Sequence, residues 1–213
     1  MVMYASKYVA DQVSERLGFH DRLKLAAFLK SSESMGVFES MRGQIFESYA
    51  HHALITGGSF QTRALETSHK GISISILLLI AFIEKLTIPP SQTKQLYELN
   101  DVATLSDGEY GRPMVRNWPA VDSIVVNTAA KTVLLFQMTV SNYHPIKTRL
   151  LTKLIATFPD GTKFKLLFVI PQENTPTFSV QSYINKDGTK TSSQSIPTNI
   201  KKHVVQYALI IPL

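Results

Sequence analysis

Residues 113 to 147 read PMVRNWPAVDSIVVNTAAKTVLLFQMTVSNYHPIK. Two parts of this stretch, residues 121–126 and residues 132–141, are dense in Val, Ile, Leu and Phe. The small polar residues between them suit a turn. The stretch therefore predicts a β-hairpin that leads into a helix.

The hairpin predicts a meeting of two polar side chains. If residues 129 and 130 form a two-residue loop, equal steps outward along the strands set Asp122 directly opposite Gln137, with Cβ atoms about 5 Å apart. Thr139 shares their face because side chains alternate along a strand. A carboxylate and an amide on apolar strands cost free energy unless a partner, an ion or a cleft satisfies them. Two interpretations stay open: a functional pair, or a turn-forming Asp and a Gln that only pairs across the sheet.

Composition favours a folded protein of one main domain. The chain has 213 residues, of which 44% are hydrophobic and 18% charged. This length is enough for one full hydrophobic core, alone or with a small helical appendage. The absence of cysteine excludes disulfides and thiolate metal sites.

The positive charge is concentrated in the second part of the chain. Residues 141–213 contain nine Lys and Arg against three acidic residues, whereas residues 1–140 contain 13 of each sign. This asymmetry favours a polyanionic partner, nucleic acid before membrane. The alternative is a solvated lysine-rich surface that only keeps the protein in solution.

No segment predicts membrane insertion. Residues 1–7 lack the long apolar core of a secretory signal. The most hydrophobic run, residues 72–83, contains two serines and is shorter than the roughly 20 apolar residues that span a bilayer. The sequence alone therefore predicts a soluble, intracellular-like protein without a membrane partner.

Apolar spacing predicts helices before the hairpin and strands on both sides of it. Residues 5–30 predict two short helices, and Ser34 is placed to cap a third that ends at residues 57 and 58. Strands are predicted at 59–65, 95–99, 163–170, 178–184 and 203–211, whereas 71–88 fits a strand or a helix. Residues 106–113 predict a polar loop. The pattern is typical of an α/β protein with a helical N-terminal segment.

The helix after the hairpin carries basic residues. Ser141 or Asn142 is predicted to cap it. Pro145 would lie in its first turn, where a backbone N–H has no partner within the helix, so its absence in proline costs no hydrogen bond. Free N–H groups at this helix start, together with His144 and Lys147, would suit a phosphate.

The third helix carries Glu47 and His51, which are four residues apart and so share one face. A solvated carboxylate and a half-buried histidine are the usual state of such residues. No further ligand at fixed spacing predicts a zinc site.

These elements resemble the restriction-endonuclease-like fold of the PD-(D/E)xK superfamily, a mixed β-sheet flanked by helices. In that superfamily an acid on the first helix, an Asp on one strand and an E/Q-x-K on the next strand gather around a divalent cation. The sequence PAVD at 119–122 is similar to the first half of the motif, and QMT at 137–139 is similar to the second.

Short motifs in the same order resemble the C-terminal nuclease-like domain of Crinkler effectors and their relatives in retrotransposon hot-spot proteins. The motifs are RGQIFE at 42–47, YGRP at 110–113, VDS at 121–123, FQMTVS at 136–141, HPIK at 144–147 and FVIP at 168–171. The resemblance covers nearly the whole chain, with a helical appendage at 1–30 and the nuclease-like domain at 31–213.

The resemblance implies a nuclease that hydrolyses phosphodiester bonds of DNA with Mg²⁺ or Mn²⁺. Asp122 would be the main metal ligand, Glu47 a second ligand and the Gln137 oxygen a weaker third. Thr139 stands where the superfamily usually has lysine, and Lys147 is the predicted replacement. Its alternative role is a lysine that contacts phosphate or only water.

Five further residues are predicted to contact the nucleic-acid backbone with little sequence preference: Arg112, Arg116, His144, Arg149 and Lys153. Backbone contacts of this kind give affinity for DNA in general.

The resemblance also implies a place of action. Related proteins carry a translocation segment and a phosphate-loop NTPase before this domain, and they act in the nucleus of a host cell after secretion. These two modules have no counterpart in the 213 residues, so we expect a natural short form or an excised domain. The alternative function is a catalytically degenerate module that binds nucleic acid or a host protein without cleavage.

Overall fold

The fold is built around a mixed β-sheet. The computed structural model describes residues 22–32, 39–65, 83–115, 118 and 120–212. Ten strands lie in these ranges: β1 (Gly58–Ala64), β2 (Ile83–Ile88), β3 (Thr93–Leu96), β4 (Tyr110–Pro113), β5 (Ser123–Asn127), β6 (Thr132–Met138), β7 (Ile146–Lys147), β8 (Lys163–Pro171), β9 (Tyr183–Ile184) and β10 (Val204–Ile211). Eight of them form the main sheet in the order β2, β1, β10, β8, β6, β5, β4, β3, and β7 pairs with β9 in a small second sheet.

The centre of the main sheet is parallel. Strand β8 runs parallel to both of its neighbours, β10 and β6. Its sequence, KFKLLFVIP, is a nearly continuous apolar run, as expected for a strand that is covered on both faces. Phe164, Leu166 and Phe168 point into one core, whereas Leu167 and Val169 point into the other.

Helices cover both faces of the sheet. The described helices are α1 (Arg22–Ser31), α2 (Glu39–Thr56), α3 (Thr148–Ile155) and α4 (Thr198–His203), with 3₁₀ turns at Leu99–Thr104 and Gln172–Asn174. The first core is the cluster that contains Leu151 of α3 and Ile200 of α4. The second core receives Leu25 of α1 and Phe46 of α2. The predicted α/β architecture with a mixed sheet flanked by helices is confirmed.

The predicted hairpin register is confirmed. Strands β5 and β6 pair Ser123 with Phe136 and Asn127 with Thr132, so the next pair outward is Asp122 and Gln137. The turn involves all four residues 128–131 rather than two. It is closed by the N–H of Lys131 on the carbonyl of Thr128.

The start of the basic helix was predicted too early. Helix α3 begins at Thr148, and residues 146–147 form strand β7 instead of a first helical turn. Proline disfavours a helical backbone at the residue before it, and Pro145 has this effect on His144. The N–H of His144 is taken by the Gln181 side chain and the N–H of Ile146 by the carbonyl of Ser182. The predicted phosphate site at a helix start formed by His144 and Lys147 is therefore wrong in its geometry.

Two further predictions need correction. Residues 178–184 were predicted as one strand of the main sheet, but only Tyr183–Ile184 are extended, and they pair with β7. Residues 106–113 were predicted as a loop, but Tyr110–Pro113 form β4, which pairs with β5. The Tyr110 side chain is fully buried, and Gly111 lies close to the side chains of Leu96 and Leu105. The other predicted strands agree with β1, β3, β8 and β10 within a few residues at each end, although β3 starts earlier and a 3₁₀ turn follows it.

Several predictions fall on residues outside the described ranges. These are the first helix before residue 22, the cap at Ser34, residues 71–82 and Arg116. The predicted end of the third helix is confirmed, since α2 stops at Thr56 and Gly57 adopts a left-handed φ of 75°. Among the described segments, no helix is both long and apolar enough to span a bilayer. The division between residues 30 and 31 stays a prediction.

Candidate functional site

A cleft of about 190 Å³ lies on the first-core face of the sheet, beside the ends of β5 and β6. Four of its residues carry polar side chains that could act on a ligand: Asp122, Gln137, His144 and Lys147. The remaining lining is mostly apolar and consists of Trp118, Ala120, Val121, Pro145, Ile146, Leu166 and Phe168. The cleft thus unites residues from both hairpin strands and from the segment that follows them.

Asp122 and Gln137 form a hydrogen-bonded pair. Nε2 of Gln137 donates to Oδ2 of Asp122 at 2.7 Å, and the backbone N–H of Met138 donates to the same oxygen at 2.7 Å. Both side chains are half-buried. Two N–H donors therefore stabilise the carboxylate, which meets the requirement that a partner satisfy these polar groups on apolar strands.

Lys147 reaches the cleft from an extended segment. The pairing of β7 with β9 and the hydrogen bond from the N–H of Ile146 to the carbonyl of Ser182 hold this segment against residues 182–184. The Lys147 side chain is exposed, whereas Ile146 is buried in the first core. The alternation along β7 therefore leaves Lys147 exposed among the residues that line the cleft and anchors its neighbour Ile146 in the first core.

His144 contributes a neutral imidazole. Burial lowers the pKa of the His144 ring, and the charge of Lys147 lowers this pKa further. Since an unperturbed histidine titrates near pH 6.5, the ring is uncharged at pH 7. Its centroid lies 6.4 Å from that of Phe168 on the cleft floor. The prediction that His144 contacts nucleic acid must therefore rely on hydrogen bonding and not on positive charge.

A buried glutamine positions this segment, and the sequence analysis missed it. Oε1 of Gln181 accepts the N–H of His144 at 2.7 Å, and Nε2 donates to the carbonyls of Asn142 and Ser179 at 3.1 and 2.8 Å. The side-chain amide of Gln206 holds the backbone of Gln181: its Oε1 accepts the N–H of Gln181, and its Nε2 donates to the carbonyl of Gln181. The available signal was a polar amide inside the run predicted as a strand at 178–184.

Thr139 does not line the cleft. It is buried, and its hydroxyl accepts the N–H of Ser141 at 3.0 Å. The hydroxyl also donates to the carbonyl of Ser141 at 3.3 Å. These contacts shape the turn that follows β6, so the Thr139 hydroxyl serves a local structural contact.

Glu47 lies on α2, which packs on the second-core face. Its carboxylate is 3.7 Å from Nε2 of His51, and Nδ1 of His51 is 2.7 Å from the Tyr110 hydroxyl. Burial raises the pKa of Tyr110 well above its usual value, and the charges of Asp122 and Glu47 raise it further. The charges of Asp122 and Glu47 thus both raise the pKa of Tyr110, although Glu47 does not line the cleft. Its role as a metal ligand stays a prediction.

The predicted backbone contacts occupy different places. Arg112 is half-buried on β4, and its positive charge lowers the pKa of Tyr110. Arg149 and Lys153 are exposed on α3, one helical turn apart. Arg116 is outside the described residues. Their predicted contacts with DNA remain predictions.

Trp118 presents a hydrogen-bond donor in the cleft wall. Its indole N–H is buried and has no acceptor within the described part of the chain. A buried donor of this kind is costly unless a ligand or solvent accepts its hydrogen bond. Trp118 therefore brings an unsatisfied N–H to the residues that line the cleft.

The cleft fits a hard divalent cation in part. Mg²⁺ takes oxygen ligands, often one or two carboxylates, and keeps several waters. The lining supplies one carboxylate, Asp122, and the amide oxygen of Gln137. Across the described ranges, no cluster of three or more His, Cys, Asp or Glu residues suited to a metal is formed. An ion here would therefore depend on Asp122 more than on any other side chain.

Comparisons with known proteins give two related sequences. The chain is 28% identical over 212 residues to Crinkler effector protein 16 of Phytophthora infestans and 27% identical over 212 residues to Crinkler effector protein 15 of the same organism. The alignments cover 99% of this chain but 29% of the length of each relative.

Two other comparisons give no match. No family model matches the chain. No solved structure matches it either, so the restriction-endonuclease-like assignment of the fold stays a prediction. The chain is, along almost its whole length, similar to Crinkler effector proteins.

Proposed function

We propose that this chain is a metal-dependent nuclease that hydrolyses phosphodiester bonds of DNA. The observation that carries the proposal is the shared cleft of Asp122, Gln137 and Lys147, which come from three separate segments. A carboxylate, an amide oxygen and an ammonium within one cleft suit a cation and the phosphate that it binds.

The proposal includes a restriction-endonuclease-like fold. Two features support it: the acid-bearing position directly precedes β5 while the amide-bearing position lies on the neighbouring strand β6 of a mixed sheet, and a helix that carries Glu47 flanks the sheet. The sequence motifs that resemble this superfamily coincide with those positions. Fold alone does not establish activity, so the proposal depends on the chemistry of the cleft.

Asp122 and the Gln137 oxygen would hold the ion, and Glu47 is a predicted further contact. When bound, Mg²⁺ or Mn²⁺ neutralises charge on the phosphate and lowers the pKa of its bound water. Asp122 already accepts two N–H groups, which fix the direction of its carboxylate. Gln137 serves the same purpose, since its amide nitrogen anchors Asp122 and leaves the amide oxygen as the remaining polar atom of the group.

Lys147 and His144 would act on the phosphate and the attacking water. Lys147, exposed among the residues that line the cleft, provides the positive charge that Thr139 cannot provide. It would attract the scissile phosphate and stabilise the negative charge that develops on it. The neutral His144 imidazole can accept a proton at a ring nitrogen, which a protonated imidazolium cannot do.

A second candidate function is binding without cleavage. One observation favours it: Thr139, which the sequence resemblance places where the superfamily usually has lysine, is buried in a turn. A degenerate site would then keep the cleft as a recognition surface for nucleic acid or for a host protein.

The place of action is proposed from the names of the relatives together with the sequence resemblance. Both relatives are named effector proteins, and we propose that this chain also acts as an effector. The resemblance adds the nucleus of a host cell as the proposed place. DNA would be the polyanion that its basic second part contacts.

Plasmid cleavage with and without Mg²⁺ tests the proposal. Wild type is compared with Asp122→Ala and with the control Asp160→Ala, which removes an exposed carboxylate on a turn away from the cleft. We expect Mg²⁺-dependent cutting by wild type and by the control but not by Asp122→Ala. If wild type binds the duplex but does not cut it with either metal, the binding module is the correct function.

A further inference from the structure

A second groove, of about 320 Å³, lies beside helix α3. One wall is α3 itself and the other is the segment of residues 185–197. Three cationic side chains line the groove: Arg149 and Lys153 on α3, and Lys186 on the opposite segment. All three are exposed. No acidic side chain is part of the lining.

The width of the groove is fixed by hydrogen bonds at its floor. The hydroxyls of Thr148 and Thr191 are 3.1 Å apart, and Thr191 donates to Oδ1 of Asn185 at 3.0 Å. Both threonines are buried. The two walls are therefore held together below the cationic side chains, which makes the groove part of the folded structure and not a gap between loops.

The acid next to Lys186 in the sequence, Asp187, is not part of the groove lining. Its carboxylate accepts hydrogen bonds from the backbone N–H and the hydroxyl of Thr189. These bonds lower the pKa of Asp187 and hold its side chain within its own turn. The groove thus presents three positive charges together with threonine and serine hydroxyls, a combination that suits phosphate oxygens.

The groove and the cleft adjoin along the chain. Lys147 lines the cleft and Thr148, the next residue, lines the groove. Successive Cα atoms are about 3.8 Å apart, so the cleft and the groove are neighbouring sites. Arg149 and Lys153 are about 6 Å apart along the helix axis, and the eight residues of α3 span about 12 Å. At about 3.4 Å per nucleotide this length matches roughly three phosphates of one strand.

We propose that the groove of Arg149, Lys153 and Lys186 binds the sugar–phosphate backbone of a nucleic-acid strand beside the position of the scissile phosphate. The inference rests on the proposed function for the identity of the ligand. It adds that the substrate is a polynucleotide which extends several nucleotides past the cleft, because a mononucleotide would leave the groove unused.

The test compares salt dependence of DNA binding in two charge-matched triple variants. The groove variant carries Arg149→Gln, Lys153→Gln and Lys186→Gln. The control carries Lys30→Gln, Lys85→Gln and Lys163→Gln, which are exposed on α1, β2 and the start of β8. Both variants lose three positive charges from exposed positions, so both are expected to fold, and their thermal unfolding is measured to confirm it.

Binding of random-sequence duplex and single-stranded DNA is measured between 50 and 200 mM salt. For three lost phosphate contacts, the slope of log K against log salt should become shallower by about 3 for duplex or about 2 for single strands. On the duplex scale the loss of affinity over this salt range should then be about 40-fold smaller than for wild type. The control should keep the wild-type slope.

Equal slopes in the two variants, or no measurable binding by wild type, would overturn the inference. The result is independent of cleavage. A shallower slope in the groove variant of a protein that never cuts DNA supports the groove and refutes the nuclease, whereas cutting with an unchanged slope does the opposite.

Discussion

Replacing Gln181 by Met tests how the cleft is built. The side chains are similar in length, but the thioether cannot make the three hydrogen bonds to His144, Asn142 and Ser179. At about 1 kcal/mol for each hydrogen bond, the unfolding free energy should fall by about 3 kcal/mol. Gln181 is 3% exposed, so water cannot replace the amide in the folded protein. The segment that carries His144 into the cleft should loosen at the same time.

Urea unfolding followed by far-ultraviolet circular dichroism gives the first quantity. Trp118 is the single tryptophan of the sequence and lines the cleft, so its fluorescence reports the second. Gln194→Met is the matched control, because Gln194 is exposed and the same substitution there should cost less than about 0.5 kcal/mol. Equal unfolding free energies for the two variants, with unchanged Trp118 emission, would refute the positioning role of Gln181.

Three further predictions concern a glycine pair, a histidine and a lysine. Gly57→Ala should destabilise the protein by more than about 1 kcal/mol, because Gly57 has a left-handed φ and a Cβ there would lie 2.5 Å from the backbone of residue 90. Gly43→Ala within α2 should instead stabilise the protein by about 0.5 to 1 kcal/mol. Thermal unfolding of the two variants measures both changes. The lowered pKa of His144 means that the unfolded chain binds more protons below about pH 6.5, so stability is complete above that pH and declines as the pH falls, by at most about 1.4 kcal/mol per pH unit for one proton. In urea titrations at several pH values, His144→Asn should reduce this decline, and an identical pH profile would contradict the account. Lys147→Ala should lower the cleavage rate about 100-fold with little change in duplex affinity, measured under single-turnover conditions, and an unchanged rate would assign Lys147 to solvent contact only.

The hairpin was predictable because its geometry is local. The number of residues on each side of the turn fixes the register, so the pairing of Asp122 with Gln137 follows from the spacing. Strand β8 was predictable for a similar reason, since its long apolar run suits a strand that is covered on both faces.

The surroundings of the cleft were not predictable in the same way. Gln181 accepts the N–H of His144, which is 37 residues away in the sequence. A polar amide inside an apolar run was visible in the sequence, but its partner was not. The same contact explains why the helix start was misplaced, since Pro145 fits a first helical turn in isolation but Gln181 and β9 occupy the N–H groups that precede α3. Sequence spacing correctly put Glu47 and His51 on one face of a helix. It could not show that the hydroxyl of Tyr110, on a distant strand, contacts Nδ1 of His51.

The Mg²⁺-dependent cleavage rate of Asp122→Asn tests most sharply whether the cleft hydrolyses DNA, because this variant keeps the shape of the side chain and removes its charge. We expect a rate more than about 100-fold below that of wild type at saturating metal, with duplex affinity retained. A variant that cuts DNA as fast as wild type would show that the cleft of Asp122, Gln137 and Lys147 is not where hydrolysis takes place.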